Sequence, residues 1–155
     1  MPQPEPKRGS LHDALTVFEG RWTARGTSFG GTDQSGDPRA NGEEWESRHT
    51  CFWHTGEFFL VQDERATVAG KPFDTLALIG VDEPSGDYFV RSIENHGYYR
   101  HYRLTSQGST WTIDGETERA TIEFVDNGRK QVIRWEWKPD GKWLPLCDRT
   151  AERTD

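Results

Sequence analysis

The chain has little of what marks most specialised proteins. Two cysteines, Cys51 and Cys147, are too few for a disulfide framework. Their default reading is a pair of reduced, buried thiols in a cytoplasmic protein. No run approaches the roughly 18 apolar residues of a membrane span. The opening stretch, residues 1–10, holds three prolines and no apolar segment, so it does not read as a secretory signal. Basic residues are outnumbered, 19 Lys and Arg against 26 Asp and Glu. A net charge of -7 disfavours nucleic acid and anionic membranes, which reward clustered cations. There is no Gly-any-Ser-any-Gly elbow, no Cys-any-any-Cys and no His-any-His. No glycine-rich phosphate loop leads from a strand into a helix.

What is present is aromatic and turn-rich. Seven Trp, eight Phe and four Tyr supply a core that the modest aliphatic content does not. A chain of 155 residues suits one domain, burying roughly 70% of its unfolded surface. Residues 1–9 read as a disordered arm and 10–155 as the domain. Ser10 reads as a helix N-cap, and Leu11, Leu15 and Phe18 form the stripe of a short helix that Gly20 ends.

After Gly20 the pattern is β throughout. Strands are predicted at 21–29, 43–54, 57–68, 73–82, 86–94, 97–105, 109–114, 117–126, 129–138 and 142–151. Between them lie turn formers such as Thr55-Gly56, Asp114-Gly115, Asp126-Asn127-Gly128 and Pro139-Asp140-Gly141. Ten short strands at a spacing of about ten residues make an all-β antiparallel meander. Closure into a lipocalin-like barrel removes the exposed edges of an open sheet; a β-sandwich is the alternative. The longest connection, Gly30 to Gly42, falls where a barrel would have its mouth.

Alternation assigns the faces. Trp45, Ser47, His49, Cys51 and Trp53 should point inward from their strand, as should Trp111, Ile113, Ile122, Phe124, Ile133, Trp135 and Trp137. The strands at 86–94 and 97–105 are mixed on both faces, which fits either a pocket lined with a few polar groups or a surface hairpin. The segment Arg91–Arg103 is therefore the strongest pointer to a site. The candidate ligand-binding set is His49, Trp53, Arg91, Tyr99, His101, Arg103 and Trp135. Trp45, Trp53, Trp135 and Trp137 read as an aromatic box or as plain core.

For acid–base chemistry the candidates are His49, His101 and Glu94, since a histidine in a water-poor cavity titrates near the operating pH. Arg91, Arg100 or Arg103 would fix an anionic group. A thiolate at Cys51 lacks a close enough base. The five histidines give no metal-binding spacing; a mixed site assembled from His49 and His101 on different strands stays open, and two hydrogen-bonded pocket or surface histidines are the plainer reading.

Several motifs carry a resemblance: Phe18-Glu-Gly-Arg-Trp22, Gly56-Glu-Phe-Phe-Leu60, Gly70-Lys-Pro-Phe73, Leu78-Ile-Gly-Val-Asp82 and Ser85-Gly-Asp-Tyr88. Over residues 11–151 the chain resembles a bacterial calycin-like family known only as a domain of unknown function. The resemblance implies a barrel with Trp22 plugging one end. The Gly-any-Trp start also resembles lipocalins and nitrobindin, a haem barrel with a histidine near its C-terminus. The segment Trp143–Ala151 has no histidine, which speaks against haem, and no cofactor is expected. Three functions remain open. They are a binder of a small hydrophobic or aromatic molecule, a cofactor-free isomerase, cyclase or lyase, and an interaction module with a filled barrel. The expected state is monomer or homodimer.

Overall fold

A computed structural model describes residues 4–30 and 36–155. The described residues form a short helix α1 (Ser10–Ala14), a 3-10 turn (Leu15–Phe18) and eleven strands. These are β1 (Gly20–Ser28), β2 (Glu43–Trp53), β3 (Phe59–Val68), β4 (Lys71–Pro72), β5 (Thr75–Asp82) and β6 (Asp87–Glu94). They continue with β7 (Tyr99–Gln107), β8 (Thr110–Asp114), β9 (Glu118–Val125), β10 (Lys130–Trp137) and β11 (Leu144–Arg153).

Every pairing is antiparallel, in the order β2-β1-β11-β10-β9-β8-β7-β6-β5-β3, and β2 pairs with β3 to close the ring. The result is a ten-stranded barrel, with β4 a two-residue ribbon held only on β3. Closure leaves none of the ten strands with a free edge and rules out the sandwich. The tight connections follow from turn chemistry. Between β9 and β10, Asp126, Asn127 and Gly128 all take positive φ, at 53°, 54° and 80°. Asp, Asn and Gly tolerate that left-handed region best.

The meander gives the barrel two unlike ends. At the floor end stand the start of β1, the tight turns and the N-terminal helix. Leu15 and Phe18 are buried there, and Phe18 meets the rings of Trp111 and Phe124 edge-on at 5.0 and 5.1 Å. Trp22 is 1% exposed, and its indole N–H donates to the Phe18 carbonyl at 3.2 Å. Arg153 lies over its outer side, 4.4 Å from the ring centroid. Leu60 and Leu104 are fully buried nearby, each contributing about 1.5–3 kcal/mol of burial free energy. The opposite end carries the long β1–β2 connection and the β3–β5, β6–β7, β8–β9 and β10–β11 loops.

The helix differs from expectation in two ways. Its N-cap is Gly9, not Ser10, and the His12 ring accepts the Gly9 amide at 3.1 Å. With the start displaced, His12 turns inward beside Leu15 while Leu11 is exposed. Of the expected arm, residues 1–3 lie outside the described residues. Arg8 donates to the Glu57 carbonyl at 2.9 Å and sits 5.0 Å over the Trp53 ring. Residues 31–35 of the long mouth connection also lie outside the described residues.

Candidate functional site

The barrel encloses a cavity of about 600 Å³. It runs from Phe18 at the floor to Lys71, Phe73, His96 and Tyr98 at the mouth. Its walls are the inward residues of nearly every strand, among them Trp45, Ala77, Ile79, Val90, Tyr102, Ile113, Ile122, Ile133, Trp135 and Trp137. That is the size of a small-molecule site, with walls that combine apolar and aromatic side chains with polar ones.

Ser92, Glu94, Arg100, Glu118 and Gln131 line separate parts of the wall, while one cluster of polar groups stands where β3, β2, β1 and β11 are neighbours. Cross-strand register sets them face to face: His49 opposes Glu64, and Trp45, Gly26 and Arg149 form one row. Gly26 is glycine for a steric reason, since a Cβ there would come within 2.0 Å of the Asp148 carbonyl and 2.6 Å of Arg149 Cα. The bare backbone lets β11 approach and lets the Arg149 guanidinium lie 4.2 Å from the Trp45 ring centroid. Trp45 Nε1 donates to Ser47 Oγ at 3.2 Å, and Ser47 Oγ donates to Glu64 Oε2 at 3.3 Å. His49 Nδ1 stands 3.7 Å from Glu64 Oε2, and Arg149 Nη1 stands 3.9 Å from Glu64 Oε1. Both distances are too long for hydrogen bonds, and of the two only Arg149–Glu64 joins permanently charged partners.

Burial holds the His49 imidazole below its ordinary pKa; Glu64 pulls the other way, and Arg149 adds to the depression. The ring is therefore neutral at pH 7, stacked on Trp22 at 6.0 Å. Burial also pushes the Cys51 thiol up to about 12, with Glu19 contributing. It raises the Cys147 thiol as well, which favours the protonated form of both cysteines. At the mouth the carboxylates are tied down. Arg100 pairs with Glu118 at 3.0 Å, and the Tyr102 hydroxyl donates to the same carboxylate at 3.0 Å. Glu94 accepts the amides of His96 and Tyr98 at 3.0 and 3.1 Å. Its pKa is lowered: burial opposes the change, and hydrogen bonds from His96 and Tyr98 outweigh it.

Of the residues expected to line the site, His49 and Trp135 do so. Trp53 has the inward parity of its strand but lies two pairs beyond Cys51, which opposes Gly20, and so falls below the Trp22 plug. It packs half-buried against the floor rather than in the cavity. Arg91, Tyr99, His101 and Arg103 are on the outside. Arg91 opposes His101 and Ile93 opposes Tyr99, while the inward face carries Tyr88, Val90, Ser92, Arg100, Tyr102 and Leu104. Outside, Tyr99 meets His101 edge-on at 4.5 Å and Arg103 binds Asp87 at 3.0 Å. The misplacement has a physical cause: the outer face also carries Leu76, Leu78, Ile93 and Tyr99, all exposed, so hydrophobicity did not separate the faces. His101 consequently never meets His49. Among the described residues no three His, Cys, Asp or Glu side chains are grouped to hold a metal ion.

Glu64, Arg149, Gln62 and Gln131 were missed. The signal was parity: Glu64 shares its face with Leu60 and Ala66, and Arg149 shares its face with Cys147 and Ala151.

No curated protein matches the chain. Among solved structures, a de novo designed fluorescence-activating β-barrel is similar over 92% of this chain and 98% of its own. The identity is 15% and the TM-score 0.46. Among the described residues, no helix is long and apolar enough to cross a membrane. Residues 7–153 match the family described as Protein of unknown function (DUF1579), and the chain belongs to that family.

Proposed function

We propose that this protein is a calycin-like container that binds a small apolar or aromatic molecule inside its barrel. One observation carries the reading: a cavity of about 600 Å³ with aromatic and aliphatic walls, plugged at the floor by Trp22 and Phe18. A barrel that served only as an interaction module would be filled by its own side chains, and this one is not. The two unbridged, buried cysteines are compatible with a reducing compartment such as the cytoplasm.

The test is native mass spectrometry on protein purified from its own cells, paired with tryptophan emission before and after organic extraction. A retained small molecule, and emission that shifts on its removal, are expected. A bare-chain mass, with emission that also ignores added phenylnaphthylamine up to its solubility limit, would overturn the reading.

One observation favours a second reading, a cofactor-free acid–base enzyme. A neutral imidazole and a carboxylate, His49 and Glu64, stand 3.7 Å apart inside the cavity. That pair is equipped to take a proton from one position of a bound molecule and return it to another. On this reading His49→Gln abolishes conversion of the retained molecule while its binding persists; conversion at an unchanged rate would sink it.

A further inference from the structure

Arg149 is the group that the fold leaves unexplained. Its side chain is 12% exposed, yet its buried Nε has no hydrogen-bond partner among the described residues. Arginine carries five N–H donors and stays charged. Among the described residues the guanidinium has one charged neighbour, Glu64, at 3.9 Å, and an aromatic face, Trp45, at 4.2 Å. Buried polar atoms without partners are uncommon, and each calls for an explanation. Among the described residues four such side-chain atoms exist, and three belong to cavity-lining residues: Arg149 Nε, His49 Nδ1 and Trp137 Nε1. Arg149 Nε and Trp137 Nε1 are obligate donors. Glu64, by contrast, already accepts from Ser47 and has two basic neighbours. Two buried donors that line the cavity, Arg149 Nε and Trp137 Nε1, thus stand without an acceptor among the described residues.

We infer that the ligand carries an anionic acceptor group, a carboxylate or sulfonate on an apolar body, and that Arg149 binds it. The inference rests on the container reading above. Glu64 then has a definable part. It neutralises Arg149 in the empty barrel and competes with the incoming anion for the same guanidinium. The Trp45 ring lies 4.2 Å from the guanidinium carbon, and Gly26, the residue between them in the row, leaves room for the side chain to cross. The mouth does not oppose entry with free carboxylates at Glu94 and Glu118, because both are held by neighbouring donors.

Two probes with nearly the same aromatic body separate the charge from the cavity: anilinonaphthalene sulfonate, an anion, and phenylnaphthylamine, which is neutral. Both should bind the wild-type protein at one site. Arg149→Met should weaken the sulfonate about tenfold or more, the scale of losing a charge-assisted hydrogen bond, and change phenylnaphthylamine less than about twofold. Glu64→Gln should strengthen the sulfonate by removing its competitor. A merely structural ion pair predicts the reverse, with both variants weakening both probes alike. Retained phenylnaphthylamine binding reports an intact barrel. If Arg149→Met does not fold, Arg149→Lys, which keeps the charge and loses the planar fork, should still weaken the sulfonate selectively. The inference is overturned by sulfonate affinity unchanged in the arginine variants, by equal losses for both probes, or by no gain in Glu64→Gln. If neither probe binds the wild-type protein, the container reading itself has failed.

Discussion

His49 ties the stability of the barrel to pH, and the size of the effect follows from its surroundings. The side chain is 4% exposed, between Trp22 and the Glu64–Arg149 pair, and burial keeps its folded pKa below the ordinary value. In the unfolded chain the imidazole titrates near about 6.5. Below that pH the unfolded state binds a proton that the folded state resists, so stability falls as pH falls. One proton corresponds to at most about 1.36 kcal/mol per pH unit. Between pH 6.5 and 5 the loss is therefore at most about 2 kcal/mol. At a urea slope of about 2 kcal/mol/M, that moves the midpoint down by as much as about 1 M. The assay is urea unfolding at several pH values from 7 to 5 for the wild-type protein and His49→Gln. Staying above pH 5 avoids Glu94, whose lowered folded pKa removes stability only in more acid solution. His12, His54, His96 and His101 are common to both proteins and cancel in the difference. The variant should show a visibly flatter pH dependence. Parallel curves would refute the claim that a neutral, buried His49 is forced on the folded state.

Other outcomes follow from the same geometry. Trp22→Ala removes the floor plug and its hydrogen bond to the Phe18 carbonyl, and should cost about 3–5 kcal/mol in denaturant unfolding. His101→Gln and Arg91→Ala alter only the outer wall, so probe affinity should be unchanged and stability should move by no more than about 0.5 kcal/mol. The Cys51 thiol, pushed up to about 12 inside the barrel, should not react with a thiol reagent at pH 8 until urea unfolds the chain.

Much of the architecture was legible because turns and alternation are local signals. The Asp126-Asn127-Gly128 and Asp114-Gly115 turns mark strand ends, and ten antiparallel strands follow from their spacing; closure into a ring rested on the argument about exposed edges, and the same pattern also permitted a sandwich. Trp45, Ser47, His49 and Cys51 were readable as inward because their opposite face is plainly polar. The strands around Arg91 and His101 were not, because their outer wall is nearly as apolar as their inner one. Register carries the missing information. A tight hairpin at Gly108-Ser109 sets Leu104 opposite Ile113, which faces in, so Tyr102 and Arg100 face in and His101 does not. The polar cluster escaped for another reason. Glu64 and Arg149 are far apart in sequence and meet only because β2, β1 and β11 are neighbours in the closed ring. The helix start escaped because the capping group is a histidine ring at His12, a residue type not expected in that role.

The barrel has five isoleucines, and they make the most direct test of the central claim. Ile79, Ile113, Ile122 and Ile133 line the cavity, whereas Ile93 stands on the outer face, 50% exposed. Methyl-labelled isoleucine spectra recorded during titration with phenylnaphthylamine report on all five at once. An interior site predicts saturable shifts of the four inward methyls with Ile93 unmoved. Shifts of Ile93 alone, or of none of the five, would contradict the account.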